Sequence, residues 1–199
     1  MVSYSTTQPL PATFFCLTFT AGSAHPTPPV PSALKNQPSR HTIVTQAAQS
    51  LNRLSETSGE DIRLGLEFLG EQGCSINDLQ TAVDVINAVA KRNVGLVLDS
   101  FHMHLSNTAF SAVAKVQSDR IFLVHVNDSE GGDVKNLTDA NRLLPGEGVI
   151  DLHELKVSLV RAEYNGFLSL ELFRSSYWQQ DPLEVARLCR ESLKRTFEV

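Results

Sequence analysis

From residue 40 onward the apolar positions alternate between two rhythms. Ile43, Ala47, Leu51 and Leu54 recur at helical spacing and predict an amphipathic helix over 41–57. Residues 63–68 (RLGLEF) are a short apolar run, read as a strand. Leu79, Val83, Ile86 and Val89 return to helical spacing over 77–91, with Asn77 as the predicted N-cap. The runs 94–99 (VGLVLD) and 121–126 (IFLVHV) read as two further buried strands, separated by a weaker helix over 106–117. A polar loop over 127–150 follows. Asp151 caps a helix over 151–164, residues 167–173 (FLSLELF) form a fourth strand, and a helix over 182–195 carries Leu183, Ala186 and Leu193 as its stripe. Continuous apolar strands alternating with helices predict a parallel sheet covered by helices. An open doubly wound sheet and part of a (β/α)8 barrel both fit this pattern. No GxGxxG follows any strand, which removes the main reason to favour a dinucleotide-binding sheet.

The first 38 residues have another character. Residues 1–34 contain no charged side chain, and seven of the nine prolines fall before residue 39. The segment 26–38 reads as an irregular or polyproline linker. The apolar stretch before it, PATFFCLTFTAGSA, has some likeness to a signal-peptide core, but no basic residue precedes it. The expectation is a disordered leader over 1–38 and one α/β domain over 40–199.

Charge narrows the function classes. The 17 Lys and Arg against 22 Asp and Glu give a net charge of −5, which argues against a general nucleic-acid binder. No run of eighteen apolar residues spans a membrane. Cys16, Cys74 and Cys189 form no CxxC pair and no disulfide framework, which points to a reducing, cytoplasmic setting.

The chemistry lies in the polar residues of the strands. Each strand carries one metal-capable side chain near its C-terminal end: Glu67, Asp99, His125 and Glu171. A carboxylate left unpaired in an apolar strand costs several kcal/mol. Four such residues in four successive strands imply a common partner, and a divalent cation removes the repulsion among three carboxylates. Oxygen donors with one imidazole suit Mn²⁺, Mg²⁺, Co²⁺ or Zn²⁺.

The segments GLEFLG, VGLVLDSFHMH, IFLVHVNDSE, LTDANRLLPGEGVIDL and LSLELFR resemble the sugar phosphate isomerase/epimerase family with its xylose isomerase-like TIM barrel. Within that family they are most similar to the inosose (2-keto-myo-inositol) isomerases of inositol catabolism. The resemblance runs from about residue 40 to the C-terminus. It implies that Glu67, Asp99, His125 and Glu171 ligate one divalent metal and that Glu67 and Glu171 move the substrate proton. It also implies that His102 and Arg142 bind substrate oxygens of a keto-sugar or keto-inositol. Abasic-site endonucleases on a related barrel need more histidines and a basic groove than this chain has. A metal-dependent dehydratase and a non-catalytic fragment remain as alternatives. Asp139 and Glu147 are competing surface partners for Arg142, and Asp128 reads as a loop hydrogen-bonder. The resemblance covers only the C-terminal half of a barrel. Two open strand edges, prone to self-association, and little turnover are expected of residues that enclose a substrate on one side.

Overall fold

The computed structural model describes residues 14–17 and 38–198. Within the segment read as a leader lies a strand, β1 (Phe14–Leu17), which pairs in parallel with β2 (Arg63–Glu67). The sheet therefore has five parallel strands, not the four expected. Leader residues 1–13 and 18–37, which hold all of the 26–38 linker except Pro38, lie outside the described residues.

Between these strands runs α1 (Arg40–Ser58), which turns Ala47, Ala48, Leu51 and Ser55 inward; Leu54, expected on that face, is exposed. After β2 comes α2 (Leu79–Val89), capped by Asp78 through Thr81 N, not by Asn77. Ala82, Val85 and Ile86 on α2 join the same apolar cluster as Ala47, Ala48 and Leu51. All six residues of β3 (Val94–Asp99) are buried, as a strand covered on both faces requires.

The helix expected at 106–117 is replaced by α3 (Ser100–Leu105), which starts directly at the strand end, and by a 3₁₀ turn at Phe110–Lys115. Asp99 Oδ1 accepts from both Phe101 N and His102 N, so the strand's last residue caps the helix. β4 (Ile121–Val126) pairs with β3. The polar loop holds a two-residue hairpin, β5 (Asp128–Ser129) against β6 (Arg142–Leu143). Buried Asp128 stitches this loop together by accepting from Ser129 N, Gly146 N and Ile150 N. α4 (Leu152–Arg161) begins at Asp151 as expected. β7 (Leu168–Leu170) is shorter than predicted and leaves Glu171 just past its end. α5 (Ser175–Trp178) and α6 (Pro182–Phe197) complete the described chain. On α6 the expected stripe fails at Leu183, which is 82% exposed, and at Ala186, also exposed, while Leu193 is half-buried; Ser192 and Phe197 are the buried positions.

The strand order is β1-β2-β3-β4-β7. One irregularity in it matters for the site. Leu96 pairs with Ile121, but Val97 pairs with Leu123, so Phe122 is an extra residue on β4. This bulge sets Asp99 opposite His125. An unbroken register from Ile121 would set Asp99 opposite Val124 and turn His125 to the other face. Gly95 makes room for the bulge: a Cβ there would lie 2.6 Å from both the Arg120 carbonyl oxygen and the Phe122 ring.

Candidate metal centre

Glu67, Asp99, His125 and Glu171 stand at the C-terminal ends of β2, β3, β4 and β7. Each offers one ligand atom, and these atoms all lie within 4.8 Å of one another. β2 and β7 are separated by β3 and β4. Three strand spacings in a flat sheet would put them about 14 Å apart. The convergence therefore requires the sheet to curl around its strand ends, as a barrel wall does.

His125 is the centre of the cluster. Its Nδ1 lies 3.0 Å from Glu67 Oε1, 3.5 Å from Glu171 Oε2 and 3.9 Å from Asp99 Oδ2. Glu67, Asp99 and His125 are buried, whereas the Glu171 side chain is 29% exposed. Arg142 is the second cation. Its Nη1 donates to Asp99 Oδ2 at 2.7 Å, its Nε donates to Asp139 Oδ1 at 2.8 Å, and its Nη2 lies 3.3 Å from His102 Nε2. The guanidinium also sits near the rings of Phe101 and Phe173, 4.7 and 5.4 Å from their centroids. Of the two surface partners read from the sequence, Asp139 is the one used, but the main partner is Asp99. Arg142 is 1% exposed, so it is not a surface residue. His102, buried on α3, reaches the cluster through Arg142.

These neighbours set the protonation states. Burial opposes ionisation of Asp99, but Arg142 and His102 outweigh it and hold the carboxyl below its ordinary value. Burial also opposes charge on His125, yet the hydrogen bond and charge of Glu67, with Glu171 and Asp99 adding, raise its pKa. Glu171 is pushed up to about 7 by burial, reinforced by Glu67 and Asp99 and opposed by His125 and Arg142.

The donor set fits a divalent cation. With bonds of about 2.0–2.3 Å, ligand atoms facing each other across an ion are at most about 4.6 Å apart, close to the spread found here. Three carboxylates and one imidazole suit a hard or borderline ion.

A pH dependence follows. A carboxyl whose pKa is raised on folding weakens the fold as pH rises from its unfolded value to its folded one. A histidine with a raised pKa contributes stability that is lost as pH rises through its folded value. Glu171 and His125 therefore act in the same direction. With a chelator present, the unfolding temperature should fall as pH rises from about 5 to about 8. With Mn²⁺ or Zn²⁺ in excess the stabilisation by metal should grow over the same range, because the ligands must lose protons to bind. Thermal unfolding at each pH, with and without metal, checks both slopes; a chelated protein whose stability rises with pH would contradict the assignment.

Sequence reasoning missed Asn127, which is fully buried and donates to Asp99 Oδ2 at 3.1 Å. Its place two residues after His125 was the available signal. Tyr177 and Trp178 sit beside the strand ends: the Tyr177 hydroxyl accepts from Leu144 N, and exposed Trp178 donates to the Leu172 carbonyl.

Comparison with known proteins places this geometry. The xylose isomerase-like TIM barrel family matches residues 15–196. The chain belongs to that family. An inosose isomerase of Bacillus velezensis is 32% identical over 164 residues, which are 82% of this chain and 59% of that protein. A D-psicose 3-epimerase of Enterocloster bolteae is 28% identical over 130 residues, 64% of this chain and 40% of that one. The crystal structure of IOLI protein with a binding zinc atom superposes with a TM-score of 0.79 at 28% identity, covering 82% of this chain and 59% of that chain. The chain thus spans about three-fifths of the length of the inosose isomerases it matches. The family match begins at residue 15, inside β1. Among the described residues no helix is long and apolar enough to cross a membrane.

Proposed function

We propose that this chain carries the metal and proton-transfer side of an isomerase or epimerase acting on a keto-sugar or keto-inositol. The observation that carries this reading is the convergence of Glu67, Asp99, His125 and Glu171 within 4.8 Å at one end of a parallel sheet. These four would hold one divalent ion, Mn²⁺, Mg²⁺, Co²⁺ or Zn²⁺. Such an ion supplies Lewis acidity that polarises a carbonyl and favours loss of the adjacent proton.

The chain's own residues do the rest. Glu171, partly exposed and with a pKa raised to about 7, is matched to taking and returning a proton near neutral pH. Glu67 is the second glutamate of the pair, buried against His125. Arg142, held by Asp99 and Asp139, and His102 beside it donate to substrate oxygens and stabilise the charge that develops on them.

Further parts of the reading stand with this one. The chain supplies the C-terminal part of an eight-stranded barrel; among the described residues β1 and β7 are the outer strands, and self-association would cover their edges. Cys74 and Cys189 are free thiols, which supports a cytoplasmic setting. The substrate is a small molecule, and neither nucleic acid nor a membrane is a partner.

A dehydratase is the second reading. A 3-dehydroshikimate dehydratase of Pseudomonas aeruginosa is 31% identical over 133 residues, and the same base could start water loss. One assay separates the two. The chain joined to the N-terminal half of a full-length inosose isomerase is incubated with 2-keto-myo-inositol or a ketose in D₂O. Metal-dependent exchange of the proton next to the carbonyl, with carbon skeleton and hydroxyls intact, is the expected outcome. Loss of a hydroxyl would favour the dehydratase, and no exchange in a metal-loaded protein would contradict both. The 199-residue chain alone is expected to turn over little.

A further inference from the structure

We propose that Asn127 is a positioning residue that fixes the Asp99 carboxylate for metal binding, an inference that rests on the metal reading of the site. Asp99 spends one oxygen on its own helix: Oδ1 accepts from Phe101 N at 2.7 Å and His102 N at 3.0 Å. The cluster is left with Oδ2, the oxygen that faces His125. The Asn127 amide donates to that oxygen at 3.1 Å, and the Arg142 guanidinium donates to it at 2.7 Å. The same amide nitrogen lies 3.5 Å from the backbone carbonyl of Glu171.

Asn127 is itself held rigidly. Its backbone N–H donates to Ser100 Oγ at 2.9 Å, and that hydroxyl donates back to the Asn127 carbonyl at 2.6 Å. One fully buried residue thus ties together the ends of three strands: β3 through Asp99 and Ser100, β4 as the chain leaves His125, and β7 through Glu171. The Ser100 hydroxyl also lies 3.2 Å from the Asn127 side-chain oxygen, and a buried amide donor is costly to leave unpaired, so the arrangement favours one carboxylate orientation. Partners that orient a ligating carboxylate change metal affinity by about 10–100-fold when removed.

The test is calorimetric titration of the metal-free chain with Zn²⁺ and Mn²⁺. Wild type, Asn127→Ala and Ser100→Ala are compared, with circular dichroism and thermal unfolding on each. Asn127→Ala should raise the metal Kd about 10–100-fold. Ser100→Ala removes the backbone clamp and a 3.2 Å contact to the Asn127 side-chain oxygen but leaves the amide N–H on Asp99, so it should lower stability and weaken metal binding less than Asn127→Ala does. If Asn127→Ala does not fold, Asn127→Gln, which shifts the amide by one methylene, is read in its place with the same expected weakening. Unchanged Kd in the Asn127 variant, with wild type binding one ion, overturns this inference alone. So does equal weakening by Ser100→Ala, which would mark general support of the turn. A wild-type chain that binds no ion overturns the metal reading and this inference together.

Discussion

Asp99→Ala should abolish stoichiometric Mn²⁺ or Zn²⁺ binding. Asp99 is 1% exposed and joins the cluster, the first turn of α3 and the Arg142 guanidinium. Removing it takes away one of the four candidate ligands and also leaves a buried cation with Asp139 at 2.8 Å and Glu171 at 3.6 Å as its remaining carboxylate partners. Breaking a buried ion pair from one side costs about 3–5 kcal/mol, and the remaining pairs with Asp139 and Glu171 set the expectation at about 3 kcal/mol. Loss of binding by the Ala variant alone would therefore be ambiguous. Asp99→Asn keeps the shape and an oxygen for the Phe101 and His102 amides, so it should lose less stability than the Ala variant, although its NH₂ meets the Arg142 and Asn127 donors, and still fail to hold the ion. Titration calorimetry beside thermal unfolding separates the two effects; an Asn variant that binds one ion with wild-type affinity would place the site elsewhere.

Glu171→Gln should separate metal binding from proton transfer. It preserves size and one oxygen donor while removing the base. In the closed-barrel fusion it should retain much of the metal and lose solvent exchange of the substrate proton by about 10²–10⁴-fold, the usual worth of a positioned general base. The pH profile should change with it. The limb set by a carboxyl near 7 in the metal-free protein, shifted lower when an ion is bound, should vanish in the Gln variant. Exchange at the wild-type rate in the metal-loaded variant would assign the base to Glu67 or to another group.

The sheet and its ligand ends were legible because both depend on local pattern. β2, β3 and β4 are short apolar runs with one polar residue near the end, and parallel pairing brings those ends to one side. What the sequence hid is non-local. β1 is a four-residue apolar run in an uncharged, proline-rich stretch, and a run that short has no periodicity to distinguish a strand from a leader core. α3 was missed because Asp99 serves twice, as a cluster member and as the helix cap, so no separate cap residue announced it. The bulge at Phe122 is invisible in the sequence, yet it turns His125 toward Asp99. The same holds for Arg142: Asp139 is three residues away and could be guessed, whereas Asp99 is 43 residues away and could not. On α6 the apolar spacing was real, but Leu183 stays 82% exposed.

The most direct test of the four-residue centre is anomalous diffraction from crystals of the chain grown with Zn²⁺ or Mn²⁺. One peak is expected, with ligand atoms of Glu67, Asp99, His125 and Glu171 all about 2.0–2.3 Å from it. A peak that any of the four fails to reach, or an ion bound only elsewhere, would contradict it.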